Sequence, residues 1–389
     1  MNLPISLDSG AFTAWSKGIH IDLDEYINFY FENQDMIDKV VGLDVIPGRP
    51  GYKDIPMEER EAAAAKGYEN YLYMIKRGMP KDKTVVVFHQ GDHFHWLERM
   101  RDEKIPYIGL SPANDRSTPE KMSWLDECMY YVTDSKGLPL MKWHGFAVTS
   151  VPIVRRYPWF SVDSATWLMF AAYGNILLPP QKGGVPDWHS DRPLVVGVSS
   201  SLTSSARSTE GEHISTFTGP EREYVERYLA SIGLFIGEST FDYMPSKTKL
   251  AKNQGWRGKK LDDGTRLVET IVRKGVSNSL GARTRTNAYF FAKIRESLPT
   301  WPWPYKFRHG FGLTRSTGKT DLLCPYSDTG LATEFYFAGQ AHEIDTTRLF
   351  MKRHGLEDSW RILVSFAYFE RCKTIINYKR FLLSRQESV

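Results

Sequence analysis

The sequence predicts an α/β protein: a TIM-like barrel of eight parallel strands over residues 1–200, followed by a mainly helical, basic region over 201–389. Two observations carry this. Up to residue 200, short apolar runs alternate with amphipathic stretches, the pattern of strands and helices taking turns in a parallel sheet. The pattern is then broken by Pro179-Pro180-Gln181-Lys182-Gly183-Gly184 and the Ser-rich stretch 199–205, which punctuate a boundary. With 389 residues and 41% hydrophobic composition, the chain is long enough for two self-supporting cores and too apolar for disorder.

The strand candidates, in order, are Leu3–Leu7, Lys39–Ile46, Thr84–His89, Tyr107–Leu110, Lys142–Val148, Trp159–Val162, Asn175–Leu178 and Leu194–Val198. The clearest helix between them is Met57–Arg77, Ala-rich, acidic in its first turn and stopped by Gly78. Beyond the boundary, helices are expected over Glu221–Ser231 and Thr286–Glu296, then an aromatic stretch around Trp301-Pro302-Trp303-Pro304, then a final helix over Trp360–Leu383.

Composition excludes several classes. Cys128, Cys324 and Cys372 are widely separated, so neither a disulfide framework nor a cysteine zinc cage can be built from them. No apolar run approaches the roughly 20 residues of a membrane helix, and Met1-Asn2-Leu3-Pro4 lacks the features of a signal peptide. A soluble, cytoplasmic protein with no membrane partner is expected. The net charge of +4 hides an asymmetry: 21 basic against 26 acidic residues up to position 200, and 29 against 20 beyond it. The excess is densest from Lys247 to Arg295. There Lys247, Lys249, Lys252, Arg257, Lys259, Lys260, Arg283 and Arg285 are among 13 basic residues facing 3 acidic ones, with Trp256, Tyr289, Phe290 and Phe291 interleaved. Such a run gains free energy from a phosphate backbone by releasing counterions, and aromatics can contact sugars or bases.

In a parallel barrel the active site gathers at the carboxyl ends of the strands. Those ends read Asp8-Ser9-Gly10, Asp44, His89-Gln90-Gly91-Asp92, Gly109-Leu110-Ser111, Gly145-Phe146 and Asp163. Three aspartates from different strands can converge there, one as nucleophile and another as general acid or base, which suits glycosyl transfer. Singly, each such Asp more often caps the following helix.

These motifs, in this order, resemble those of the tRNA-guanine transglycosylase superfamily over about 190 residues. Asp8-Ser9-Gly10-Ala11-Phe12 resembles the family's Asp-Ser-Gly-Gly-Phe/Tyr, and Gly42-Leu43-Asp44 its base-recognising strand end. Phe88-His89-Gln90-Gly91 resembles Val-Gln-Gly-Gly, Tyr107-Ile108-Gly109-Leu110-Ser111 resembles Gly-Gly-Leu-Ser, and Val162-Asp163-Ser164 the segment with the nucleophile. The long basic second part is more similar to the phage and bacterial enzymes that place 7-deazaguanines in DNA. The resemblance implies that Asp163 is the nucleophile and Asp8 the general base. It also implies that Phe12 stacks on the base, that Asp44 and Gln90, beside Gly91, read its edge, and that backbone groups of Gly109 and Leu110 close the pocket. Implied partners are duplex DNA and a free 7-deazaguanine such as the 7-cyano form, with no cofactor and no metal, in the cytoplasm, a host's if the chain is phage-encoded. The family's Cys-x-Cys-x-x-Cys…His zinc cluster has no counterpart here, a further reason to expect DNA rather than tRNA. Members also carry two strands before the Asp-Ser-Gly strand, so two others must complete this ring: 175–178 with 194–198, or strands from the second part.

Two other readings follow from the residues. A tRNA-acting transglycosylase keeps the same chemistry, and His89, His93 and His95, spaced H-x-x-x-H-x-H, could with Asp8 or Asp44 hold a catalytic zinc for a hydrolase. Gly312–Lys319 superficially resembles a phosphate loop, but five residues separate its glycines where four are required.

Overall fold

The structure, a computed structural model, describes residues 4–51, 55–200, 213–307, 330–338, 341–359 and 361–386. Its first six strands are β1 (Ile5–Asp8), β2 (Ile37–Val41), β3 (Thr84–His89), β4 (Tyr107–Ser111), β5 (Lys142–Gly145) and β6 (Ser161–Ser164). Interleaved with them are α1 (Ala11–Lys17), α2 (Leu23–Glu32), α3 (Met57–Lys76), α4 (His95–Asp102), α5 (Thr118–Val132) and α6 (Val151–Arg156). Two of these helices start on side-chain caps: Asp22 accepts from Glu25 N–H at α2, and Ser117 with Glu120 forms a reciprocal capping box at α5.

After β6 come α7 (Thr166–Ala172), β7 (Asn175–Leu178), β8 (Gln181–Lys182), β9 (Val185–Pro186), β10 (Leu194–Gly197), α8 (Gly219–Ser231), β11 (Glu238–Pro245), β12 (Gln254–Arg257), β13 (Thr265–Arg273) and α9 (Leu280–Glu296). The chain ends with β14 (Glu334–Ala338), α10 (Ala341–Arg353), β15 (Arg361–Ser365) and α11 (Phe369–Gln386).

Eight parallel strands form a closed barrel in the order β1-β15-β14-β6-β5-β4-β3-β2. The expectation of an α/β barrel therefore holds, but the ring is not completed within residues 1–200. β7 and β10, both strands as expected, pair antiparallel with each other in a separate two-stranded sheet. β14 and β15 close the ring instead, in register Phe335 to Val162, Phe337 to Ile362 and Leu7 to Val364. Residues 361–365, expected at the start of a helix, are thus a barrel strand. Val364 and Ile362 face outward and are buried, and Ser365 lies opposite Asp8. The division of the chain moves accordingly. One compact unit comprises 1–164, 298–346 and 358–389, and the other 165–297 with 347–357.

In the barrel unit, alternation sends Leu7, Val40, Phe88, Leu110, Trp143 and Val162 outward under the helices, all buried. The inward set is unusually polar. Lys39 of β2 bonds Tyr107 of β4 and Ser161 of β6, strands that are not neighbours, so these side chains meet inside the ring. At the amino end of β6, Trp301 packs edge-on against Phe160 and donates to the Pro158 carbonyl. Thr333 then bonds the Trp159 carbonyl and leads β14 alongside β6.

In the other unit, the Asn287 carboxamide in α9 donates to Trp167 O and accepts from Leu177 N–H, tying α7 and β7 to one helix over a core that includes Ile176, Tyr228 and Phe290. A three-stranded antiparallel sheet, β11-β13-β12, completes it. Among the described residues no helix is long and apolar enough to cross a membrane.

Phe337 is buried in the strand that closes the ring. Phe337→Ala is expected to destabilise the fold by about 3–4 kcal/mol in urea titration, and a loss below about 1 kcal/mol would show that β14 does not contribute to the barrel core.

Candidate functional site

Because all eight strands run the same way, Asp8 at the end of β1, Asp44 just past β2, His89 at the end of β3 and Asp163 in β6 reach one rim. Several contacts fix their backbones. Tyr26 OH donates to the carbonyls of Val41 and Leu7, 2.7 and 3.3 Å away, joining the ends of β2 and β1. Asn70 of α3 donates to Leu43 O at 2.9 Å. Gly67 of the same helix lies so close to the chain at Asp44 that an added Cβ would sit 3.5 Å from the Asp44 Cα. At Gly10 the backbone is left-handed, and a Cβ would collide with Ala367 and Ser365, so only glycine lets the chain turn there from Asp8 into α1.

The carboxylates are electrostatically coupled. Burial, then the charges of Asp163 and Asp44, push the Asp8 carboxyl up from 3.8 to about 7, while the nearby Gly10 N–H and Ser365 hydroxyl act the other way. Asp44 Oδ2 is 2.8 Å from His89 Nε2, and its Oδ1 accepts from Ser9 Oγ at 3.4 Å. Burial disfavours the His89 imidazolium, but hydrogen bonds and charges from Asp44 and Asp92 outweigh it and raise the imidazole to about 10. A cation thus stands between two carboxylates at neutral pH. Asp163 is buried, and its Oδ1 accepts from Ala147 N–H at 2.6 Å. Ala147 has φ 52, a conformation that costs a non-glycine residue about 1 kcal/mol or more and here aims the N–H at the carboxylate.

Beneath the carboxylates lies a buried polar cluster that the strand ends alone do not reveal. Lys39 Nζ is 2.7 Å from Ser161 Oγ, 3.1 Å from Tyr107 OH, 3.2 Å from His144 Nδ1 and 3.7 Å over the Tyr336 ring. Burial lowers its ammonium to about 7 despite the opposing charges of Glu334 and Asp163. A lysine inside a valine-rich strand was the available signal.

The remaining expected residues fare differently. Gln90 is at the rim with its carboxamide oxygen accepting from Ala113 N–H at 3.0 Å, which leaves its NH2 for a ligand. Gly91 makes room for the Arg60 guanidinium, which a Cβ would meet at 2.2 Å. Phe12, on α1, is 55% exposed beside Trp15. Gly109 and Leu110 lie within β4. β4 is paired on both sides, Leu110 O accepts from Phe146 N–H, and the absent Cβ of Gly109 is replaced by the Phe146 ring, 2.2 Å from where that atom would stand. The three histidines do not converge: His89 faces Asp44, while exposed His93 and His95 pair through Nδ1 atoms 2.8 Å apart, with His95 Nε2 on Glu61. Among the described residues no group of three or more His, Cys, Asp or Glu is placed to hold a metal ion. Gly312–Lys319 lies outside the described residues.

The basic run divides as well. Lys247, Lys249 and Lys252 between β11 and β12, and Lys259 and Lys260 between β12 and β13, are exposed. Arg257 pairs with buried Glu269 at 2.6 Å while remaining partly exposed, and Arg283 is buried, donating to Ala171 O and Val276 O, so Arg283 is not presented to a phosphate. Arg285 packs near the Phe350 ring. Phe290 and Phe291 are core residues, whereas Phe241 and Tyr243 on β11 are exposed, Tyr243 at 61%.

No protein-family model, curated protein or solved structure matches the chain. Its class therefore rests on geometry alone: a parallel α/β barrel with an acidic, histidine-bridged rim.

Because the folded state holds the Asp8 proton more tightly than the unfolded chain, ionising Asp8 costs stability. The cost is absent below pH 3.8, grows between 3.8 and about 7, and is complete above it. Asp8→Asn should accordingly stabilise the protein by about 1–3 kcal/mol at alkaline pH, with the difference from wild type vanishing as the pH approaches 3.8 in thermal melts.

Proposed function

We propose that the protein is a base-exchange glycosyltransferase that replaces guanine in DNA with a 7-deazaguanine through a covalent aspartyl-deoxyribose intermediate. The observation that carries this reading is the pairing of two unlike carboxyls on one rim: Asp163 held at one oxygen by Ala147 N–H, and Asp8 with its proton poised near neutrality. The order of the strand-end motifs, which resemble those of guanine transglycosylases, supplies the substrate class.

In the first half-reaction a deoxyguanosine flips from the duplex. An oxygen of Asp163 bonds to C1′ as the bond to N9 breaks, and Asp8 delivers its proton to the departing guanine, as in a retaining glycosidase. In the second, N9 of the incoming 7-deazaguanine attacks C1′, its proton passes to Asp8, and the electron pair of the ester bond returns to Asp163. Asp44, polarised by the His89 cation, accepts from N–H groups of the base, while the Gln90 NH2 donates to its carbonyl. Phe12 offers an exposed face for stacking. Lys247, Lys249, Lys252, Lys259 and Lys260 supply phosphate contacts independent of sequence.

The decisive experiment is incorporation of labelled 7-cyano-7-deazaguanine into duplex DNA and, in parallel, into tRNA. Label is expected in DNA and is lost at least about 10³-fold in Asp163→Ala. Label in tRNA alone would keep the chemistry and overturn the choice of DNA, and no label in either would overturn the reaction. Since the first step consumes the protonated form of Asp8, kcat/KM for DNA should fall as pH rises above about 7. Replacing Lys259 and Lys260 by Gln should weaken binding evenly across DNA sequences and reduce the slope of log affinity against log salt by about 1 for each phosphate no longer neutralised.

A further inference from the structure

The histidine under the nucleophile is used by nothing described so far. His144, on β5, is fully buried. Its Nδ1 is 2.7 Å from Ser161 Oγ and 3.2 Å from Lys39 Nζ. Its Nε2 has no hydrogen-bond partner, yet Asp163 Oδ2 stands 3.7 Å away. The Phe146 ring packs edge-on against the imidazole at 4.4 Å. Around it are Lys39 from β2, Tyr107 from β4, Ser161 and Asp163 from β6, and Glu334 and Tyr336 from β14.

These neighbours determine the tautomer. Below about pH 7 Lys39 is an ammonium, which only donates, so with Lys39 on Nδ1 that nitrogen accepts and the ring proton resides on Nε2. Burial, and then the Lys39 charge, lower the imidazole to about 4, so the ring is neutral across the physiological range. The Nε2–H therefore points towards the one Asp163 oxygen that Ala147 does not hold.

We infer that His144 is a positioning residue for Asp163, a neutral imidazole whose Nε2–H orients Oδ2 and closes on it as negative charge returns to the carboxylate. The inference rests on Asp163 being the nucleophile. When Asp163 is esterified its charge is gone and the N–H has little to hold. When the C1′–oxygen bond breaks, the electron pair returns to the carboxylate and the contact shortens to a hydrogen bond. His144 transfers no proton. Its contribution is directional, as for groups that orient a ligand from behind and whose removal typically costs 10–100-fold.

The test has one arm that does not need the reaction. In full-length protein labelled with 15N at histidine, long-range proton–nitrogen correlation spectra should show His144 protonated at Nε2 and bare at Nδ1 down to about pH 5, with the Nε2–H signal displaced in Asp163→Asn. A protonated ring, the opposite tautomer, or indifference to Asp163→Asn overturns the inference. In the second arm, His144→Leu is expected to lower kcat by about 10–100-fold with little change in KM for DNA. His144→Gln, which presents an N–H donor at nearly the same place, should recover most of the loss. Equal loss in both variants, or none in His144→Leu, overturns the inference. Wild-type protein that exchanges no base but gives the expected spectra rejects the transglycosylase reading and supports the contact with Asp163.

Discussion

Lys39 ties the barrel together from the inside. Its ammonium touches groups on β4, β5, β6 and β14 from its own place on β2, so five of the eight strands share one buried cation. Barrels of this architecture ordinarily fill their interior with layers of branched apolar side chains. Here the layer beneath the rim is built from Lys39, Tyr107, His144, Ser161 and Tyr336 instead. A buried charge is tolerated only when hydrogen-bonded, and each contact it makes restricts the strand that provides it. The geometry of the rim is inherited from this layer. Ser161 and Asp163 are two residues apart on β6, so whatever fixes the serine also fixes the direction in which the aspartate projects.

Charge is arranged in tiers along the barrel axis. Lys39 and His144 hold the interior, Asp163 and Asp8 stand above them, and the His89 cation sits between Asp44 and Asp92 at the edge. Each of these groups is moved away from the ionisation it would have in water: burial and then Asp163 and Asp44 raise Asp8, burial and then the Lys39 charge lower His144, and burial lowers Lys39. Titratable groups pushed apart in this way, with a strained N–H at Ala147 aimed at one of them, are what a site built for proton and group transfer requires. The same arrangement stabilises the fold less than apolar residues would.

Much of this was legible in the sequence because it is local. Thr84–His89 reads as a strand from its β-branched run, and Asp8, Asp44 and Asp163 stand out as acids at the ends of such runs. What was not legible depends on partners far along the chain. Glu334–Ala338 is a short aromatic stretch without turn signals, and Arg361–Ser365 runs into a helix, so neither declares itself as a barrel strand until a closed ring needs edges covered. Asn175–Leu178 and Leu194–Gly197 are true strands, but strand character does not say whether the partner runs parallel or antiparallel. Gly109 was read only for its backbone, and nothing local announces that a tertiary neighbour, the Phe146 ring, fills the space beside it. Arg283 counted toward a basic run although its guanidinium is consumed by two backbone carbonyls, because charge summed along a chain does not reveal which side chains face inward.

Closure by the last strand also sets the order in which the protein can be made. β1 is held on one side by β2 and on the other by β15, so Asp8 finds its neighbour Ser365 only after that distant residue has left the ribosome. Until then six parallel strands have two open edges, while residues 165–297 can already gather around Asn287. Contacts this distant in sequence form slowly, and open strand edges invite pairing with other chains. The acidic rim is therefore assembled last, and a nascent chain carries its candidate nucleophile long before it can orient it.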